Sequence, residues 1–387
     1  MRRVPLGARP DWRETARANG FTFSGADGAE YWSEGHAYAF TLGQVERDIE
    51  APSAELHALC RAFVSDAVED ERILASLALP EHAWDTVRTS WRRGDPSLYG
   101  RLDFAYDGRG PAKLLEYNAD TPTALYETGV FQWLWLEEAL ASGRLPPGSD
   151  QFNTVHDDLI ARFRGIAAGG DIAFTAYADV PEDRGTVAYL EDCARQAGLV
   201  TRFLDLGDLG LGPDGSFVDR VLCPIPLLFK LYPWEWAFAD RFGQALAGTP
   251  SRFLEPPWKA VLSNKGLLAH LYAREPGHPN LLPAFFESDP DKARLGRSFA
   301  RKPLYSREGA NVLILREGHV LANAGGPYGA EGFIRQGLAE LPDFDGWRPL
   351  VGAWIVGDAP AGLCVREGRG AVTTDAALCV PHFIAPV

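Results

Sequence analysis

The stretch YGRLDFAYDGRGPAKLLEYN, from Tyr99 to Asn118, decides how this chain is read. Tyr99 to Tyr106 reads as a strand, Asp107 to Pro111 concentrates turn residues, and Ala112 to Asn118 reads as a returning strand. A period of two puts Arg101 and Asp103 on one face, with Leu102 and Phe104 on the other. In the returning strand Glu116 and Asn118 share a face, opposed by Leu115 and Tyr117. With Gly108 to Pro111 as the loop, antiparallel counting pairs Asp103 with Glu116 and Arg101 with Asn118, gathering four polar side chains on one surface. Two carboxylates directly across a ladder repel unless a cation or a proton lies between them. Asp, Glu and the amide oxygen of Asn are oxygen ligands that magnesium accepts, so Asp103, Glu116 and Asn118 are candidate metal ligands. A solvated amphipathic hairpin whose acids are neutralised by Arg101 accounts for the same residues, and the hairpin alone does not separate the two readings.

Outward from the hairpin, Ser53 to Leu79 places Leu56, Leu59, Cys60, Phe63, Val64 and Val68 at intervals of three and four, which predicts helical scaffold. Phe131 to Leu140 predicts another helix, and Gly143 to Asp150 has the Gly and Pro content of a linker. From Gln151 the pattern alternates: a helix carrying Leu159, Ile160, Phe163 and Ile166, a strand at Ile172 to Tyr177, a helix at Thr186 to Ala197, a strand at Thr201 to Leu206, and an apolar run from Arg220 to Leu231. Such alternation predicts a small Rossmann-like layer, without the Gly-x-Gly-x-x-Gly turn of a dinucleotide site. The remainder reads as a helix at Ser263 to Tyr272, strands near Ala300 to Leu304 and Asn311 to Arg316, and two more near Leu350 to Val356 and Gly362 to Val365.

The length of 387 residues exceeds what one core usually organises, which predicts two or three packed lobes. Apolar residues at 46% against 23% charged place the chain among globular proteins rather than disordered ones. A net charge of -14 disfavours nucleic acid and acidic lipid as partners. No apolar run is long enough to span a bilayer and none follows Arg2 and Arg3, so the expectation is a cytoplasmic protein. The five cysteines, scattered and odd in number, predict reduced and mostly buried thiols. The eight histidines form no cluster with ligand spacing, which argues against zinc.

Only six of the 38 basic residues are lysines, so each lysine carries a little extra information. Lys265 falls at a helix start with Ser263 available as a cap; a cation there opposes the helix dipole, and its ammonium can instead serve a phosphate. Lys302 precedes Tyr305-Ser306-Arg307-Glu308-Gly309-Ala310-Asn311, a short glycine-containing loop between strands. Such a loop can lay backbone N–H groups over phosphates while the lysine reaches their oxygens, although it is not a Walker A sequence. Arg366 follows a strand and can stabilise a transferring phosphoryl group or end the strand in solvent. Each feature taken singly also has a bland reading, as an exposed helical lysine, an ordinary hairpin or a strand end.

Taken together and in this order, Tyr99-Gly-Arg-Leu-Asp-Phe, Leu115-Glu-Tyr-Asn-Ala-Asp-Thr-Pro-Thr, Leu262-Ser-Asn-Lys, Arg301-Lys-Pro-Leu-Tyr-Ser-Arg-Glu-Gly-Ala-Asn and Gly352-Ala-Trp-Ile-Val-Gly-Asp resemble the glutathionylspermidine synthase-like family, from about Trp12 to His382. The resemblance implies an α+β / α/β chain with an ATP-grasp-like two-lobe fold and an inserted Rossmann-like, pre-ATP-grasp domain. The implied division is 1–148 for the helical region and metal-binding hairpin, 149–255 for the Rossmann-like domain, and 256–387 for the nucleotide-binding lobes and lid. It implies Asp103, Glu116 and Asn118 as Mg2+ ligands, and Lys265 and Lys302 on the ATP phosphates. Ser306, Arg307, Gly309 and Asn311 would belong to the lid, and Gln336 to the adenine hinge. Arg101 and Arg366 would face the reacting phosphoryl and acyl groups. The family's bifunctional members carry an amidase domain that this sequence does not contain. They place serines and a cysteine beside the thiol peptide where this chain has Thr121-Pro122-Thr123-Ala124, so Thr121 and Thr123 are the candidate substrate contacts. The acid that those synthetases use for the polyamine is not evident after Arg366.

The expected activity is therefore ATP- and Mg2+-dependent joining of a small-molecule or peptide carboxylate to an amine through an acyl phosphate, without nucleic acid or membrane. Two rivals stay open: an ATP-binding regulatory protein without catalysis, and a phosphotransferase that stops at the phosphorylated acid.

Overall fold

The computed structural model describes residues 1–25, 30–167 and 170–386. Among these described residues, five sheets and a set of helices make a mixed α/β architecture. At its centre is a five-stranded antiparallel sheet in the order Leu378–Val380, Ala359–Gly368, Arg348–Val356, Tyr99–Ala105, Lys113–Asn118. The hairpin pairs as counted at its polar end, Arg101 opposite Asn118 and Asp103 opposite Glu116. Beyond that point a bulge intervenes and Phe104 faces Leu114, not Leu115. An extra residue disrupts the ladder locally and re-aims the side chains beside it. Leu114 therefore joins Leu102, Phe104 and Tyr117 in the main core, while Leu115, expected on that same face, packs with Ala105, Leu341 and Leu350.

A second antiparallel sheet runs in the order Ala284–Phe286, Phe333–Gly337, Phe299–Pro303, Leu313–Arg316, His319–Asn323. It is fastened to the hairpin at the bulge. The carbonyl of Leu114 accepts from the Gln336 amide at 2.9 Å, and that of Leu115 from the Lys302 ammonium at 2.9 Å. The carbonyls beside the bulge are thus used by the second sheet.

A four-stranded parallel sheet, in the order Arg252–Leu254, Leu227–Lys230, Asp171–Ala176, Val200–Asp205, occupies the middle of the sequence. Its central strand Asp171–Ala176 is buried from Ile172 onward, as a strand covered on both faces must be. The helices Val155–Ala167 and Pro181–Gln196 pack on one side, where Ile172 and Phe174 meet Phe163, Val187 and Leu190. Only Leu227–Lys230 of the apolar run Arg220 to Leu231 is a strand; Val221 and Leu222 are exposed at a turn.

Helix Ala51–Ala67 confirms the spacing of Leu56, Cys60, Phe63 and Val64, which all face the core. The first hundred residues are less uniformly helical than expected. Arg2–Pro5 pairs with His36–Phe40, which pairs in turn with His382–Ile384 near the other end of the chain. His36–Phe40 is buried at all but its first residue and Arg2–Pro5 is only 4 residues long, so neither carries an alternation to read. The segment Gly143 to Asp150 is not a free linker either, since Leu145 is buried and Asp150 bridges to Ile384 through backbone hydrogen bonds. Cys60, Cys193, Cys364 and Cys379 are buried free thiols, and Cys223 is an exposed one. No helix among the described residues is long and apolar enough to cross a membrane.

Candidate active site

The hairpin's polar face, the Lys265 helix and the second sheet meet around two adjoining cavities that share Glu116, Lys265, Ser306, Gly309, Leu350 and Thr373. One is an apolar slot lined by Ala300, Ile314, Leu338 and Leu341, with Lys302 and Gln336 beside it. The other is polar and holds Arg101, Asn118, Thr121, Thr123, Arg307 and Arg366. Of the residues singled out by sequence, Asn311 alone touches neither: its amide donates to Gly326 O at 3.0 Å and accepts from Tyr328 N at 2.8 Å, tying two loops together.

Asp103 is fully buried and heavily engaged. Its Oδ1 accepts from Arg101 Nε at 2.6 Å, and its Oδ2 from a second Arg101 nitrogen at 3.0 Å, from Asn118 at 2.9 Å and from Arg366 at 3.1 Å. Arg101 is buried as well: removal from water opposes its charge, Asp103 more than restores it, and the guanidinium lies 5.6 Å from the Trp354 ring centroid. Gly352, directly across the ladder from Asp103, makes room for it; a Cβ there would sit 2.7 Å from Arg101 Cδ.

Glu116 accepts from Lys265 Nζ at 3.1 Å and from Asn118 at 3.3 Å. Burial pushes its carboxyl up, but Lys265 and Lys302 outweigh that and hold it down at about 2. Lys302 donates to Gln336 Oε1 at 2.8 Å besides the Leu115 carbonyl. Desolvation lowers its ammonium to about 8, against the pull of Glu116. The Gln336 side chain is thus committed at both ends, to Leu114 and to Lys302, and holds the lysine in place.

Lys265 also donates to the Ser306 carbonyl at 2.8 Å. Its helix begins later than expected, at Gly266, with Lys265 itself in the cap position and no side-chain cap; Asn264 Oδ1 accepts from Gly266 N at 2.8 Å in the turn ahead of it, while the Ser263 hydroxyl has no partner. The Ser306 hydroxyl is likewise buried without a partner. Arg307 donates to Thr121 Oγ1 at 2.6 Å, and Gly309, at φ 72°, packs against Val372 and Thr373. The Thr123 carbonyl accepts from Arg101.

Sequence reasoning missed several cleft residues. Asp120 is buried and accepts from Lys230 Nζ at 2.7 Å and from Trp234 N at 2.8 Å. Glu235 stands 3.8 Å from Arg307, and burial lifts its carboxyl above the ordinary range. Glu182 and Asp183, outside the cavity linings, are lifted by burial in the same way, with Arg366 and Arg307 respectively opposing the rise. The adjacency of Asp120 to Asn118 was a usable signal; the others are brought in by the parallel sheet and carry none. Among the described residues no three His, Cys, Asp or Glu side chains cluster as a metal site. The oxygen set here is two carboxylates and one amide.

A fold of this kind is shared with a solved structure, a glutathione synthetase-like effector from Globodera pallida in its apo form. The match has a TM-score of 0.59 at 10% identity and covers 97% of this chain and 96% of that one. The class is therefore that of glutathione synthetase-like folds. Residues 3–385 match the glutathionylspermidine synthase preATP-grasp family, and the chain belongs to it. A Haemophilus influenzae protein named as a candidate acid–amine ligase is 40% identical over the full length of both chains. A trypanothione synthetase from Crithidia fasciculata is 30% identical over 84% of this chain, and a bifunctional glutathionylspermidine synthetase/amidase from Escherichia coli 28% over 87%. The chain aligns with 53% and 57% of the length of those two enzymes.

Proposed function

We propose that the protein is an ATP-dependent carbon–nitrogen ligase that activates a carboxylate as its acyl phosphate and passes the acyl group to an amine. The observation that carries this reading is the convergence of Asp103, Glu116 and Asn118 with Lys265 and Lys302 on one cleft. The names of the relatives, a candidate acid–amine ligase, a trypanothione synthetase and a glutathionylspermidine synthetase/amidase, support the same chemistry.

In this reading the apolar slot takes the adenine, Lys265 and Lys302 take phosphate oxygens, and Ser306 to Asn311 cover them. Phosphoryl transfer asks for positioning and charge neutralisation more than for covalent help. Arg101 and Arg366 supply that on the acyl side, beside Thr121 and Thr123. The substrate carboxylate oxygen bonds to the terminal phosphorus as ADP leaves; the amine then attacks the acyl carbon, orthophosphate leaves and a proton is released. Glu182, Asp183 and Glu235 place carboxyl groups next to the cleft, a suitable counter-charge for a cationic amine.

The donor chemistry fits a divalent cation at Glu116 and Asn118. The Asn118 amide turns its NH2 toward both carboxylates, and a half-turn about its last bond would present its oxygen instead. Asp103, held by two arginines, is the least free of the three. When bound, magnesium would neutralise the triphosphate. We further read 149–255 as a Rossmann-like insertion in an ATP-grasp-like body, with 1–148 and 256–387 as its other parts, and the cytoplasm as its location.

The test is ADP release with peptide or amino-acid carboxylates crossed with amines and polyamines, read by mass. An amide product whose formation is lost in Asp103→Ala and Glu116→Ala is expected; a phosphorylated acid that accumulates even with amine present would instead mark a phosphotransferase.

A further inference from the structure

The parallel sheet holds a second cavity, apart from the cleft. After Asp171–Ala176 the chain adds Val200–Asp205 on one side, then crosses to place Leu227–Lys230 on the other side and Arg252–Leu254 outside it. The strand order therefore reverses between Asp171–Ala176 and Leu227–Lys230. In open parallel sheets the crevice at the carboxyl ends of two such strands is where ligands are held. Here those ends carry Thr175 and Tyr177 on one strand, and Lys230 and Tyr232 on the other. All four line a cavity of about 180 Å³ that Phe217 and Trp234 help to close.

The chemistry of the walls is selective. Thr175 is wholly buried and its hydroxyl has no hydrogen-bond partner. Buried hydroxyls are nearly always satisfied, so one left over in a cavity wall marks a place for a polar atom. Lys230 offers no free charge, because its ammonium is held by Asp120 at 2.7 Å and by the Tyr232 carbonyl at 2.9 Å, 4.1 Å from the Trp234 ring centroid. Asp240 and Arg241, also in the lining, are exposed to solvent. Tyr177 and Tyr232 meet edge to face at 6.1 Å, and Tyr177 is 41% exposed. Aromatic walls, a single buried hydroxyl left without a partner, that of Thr175, and no uncompensated interior charge suit a neutral ring with one polar atom. The size agrees, since an apolar cavity of about 150 Å³ accommodates benzene.

We propose that this cavity is a binding site for a small neutral aromatic of phenol size, its polar atom on the Thr175 hydroxyl. The ring packs on Trp234, whose backbone N–H holds Asp120 and whose neighbour Glu235 lines the cleft. The site itself does not depend on the ligase reading.

Calorimetric titration of the whole chain with phenol and with toluene tests it. One saturable phenol site is expected, lost in Ala237→Phe, which drives a ring into the cavity from the helix Trp234–Ala239. Phenol should bind roughly tenfold more tightly than toluene, and Thr175→Val should erase that preference while keeping toluene binding. Melting temperatures check folding, and if Ala237→Phe does not fold, the Thr175→Val comparison decides alone. Absence of saturable phenol binding, phenol binding unchanged in Ala237→Phe, or a phenol preference that survives in Thr175→Val overturns the proposal.

Discussion

Lys265 Nζ lies 3.1 Å from Glu116 Oε2, so a helix start late in the chain neutralises an acid of the early hairpin. The pair is mostly shielded, with side-chain exposures of 9% and 28%, so removing one partner leaves the other poorly solvated.

The first prediction follows from that geometry. Lys265→Ala should lower folding stability by about 1–3 kcal/mol, because Glu116 keeps its charge with only Lys302 nearby. Lys265→Ala/Glu116→Gln should recover part of the loss. Urea denaturation of Lys265→Ala, Glu116→Gln and the double variant measures the coupling, and additive effects would mean that the two groups do not interact. ADP release should fall at least a hundredfold in Lys265→Ala, by loss of a phosphate contact.

Lys302 gives a pH dependence. Its ammonium, lowered by desolvation to about 8, loses its charge as pH rises through that value in the free protein. kcat/KM for ATP, which reports the free enzyme, should therefore fall above about pH 8. Lys302→Arg should remove that alkaline limb at some loss of rate, since a guanidinium stays charged. For folding the sign is opposite: the depressed pKa penalises the charged form below about 8, and the penalty fades between there and the ordinary lysine range. A kcat/KM profile flat to pH 10 in the wild type would show that Lys302 does not set ATP capture.

How much of this was legible in the sequence depends on where each partner lies. The register of Asp103 with Glu116 could be counted, because alternation and turn residues fix a hairpin locally. The bulge that turns Leu115 away could not, since it answers to Lys302 and Gln336 on another sheet. Gln336 is expected at the adenine hinge; that its amide also donates to Leu114 O and accepts from Lys302 is a side-chain commitment that appears only with coordinates. The convergence of Lys265 and Lys302 on the hairpin was available from resemblance, not from periodicity. The strands Arg2–Pro5 and His36–Phe40 escaped because neither alternates: the first is 4 residues long and the second is buried at all but its first residue.

Gly352→Ala tests the packing around Arg101. The added Cβ would meet Arg101 Cδ and Cys364 Sγ, each at 2.7 Å, in the middle of a buried sheet. Overpacking there should destabilise by about 1–3 kcal/mol. Because Arg101 must shift, KM for the carboxylate substrate should rise more than KM for ATP. Equal changes in the two constants would argue that Arg101 does not face the acyl side.

Glu127 supplies the last prediction. It is 2% exposed, and the Tyr31 hydroxyl beside its carboxylate does not offset the cost of burial. Desolvation, reinforced by the charge of Glu182, raises its pKa to about 7. The unfolded chain releases that proton near the ordinary glutamate value, so the native state binds more protons between the two values and stability declines as pH rises across that window. Glu127→Gln removes the ionisation while keeping the shape. Its melting temperature should match the wild type near pH 4.5 and exceed it by pH 8, by a margin equivalent to about 1–3 kcal/mol. Thermal melts at pH 4.5, 6 and 8 measure this directly, and a variant whose advantage does not grow with pH would show that Glu127 is ionised in the native protein throughout.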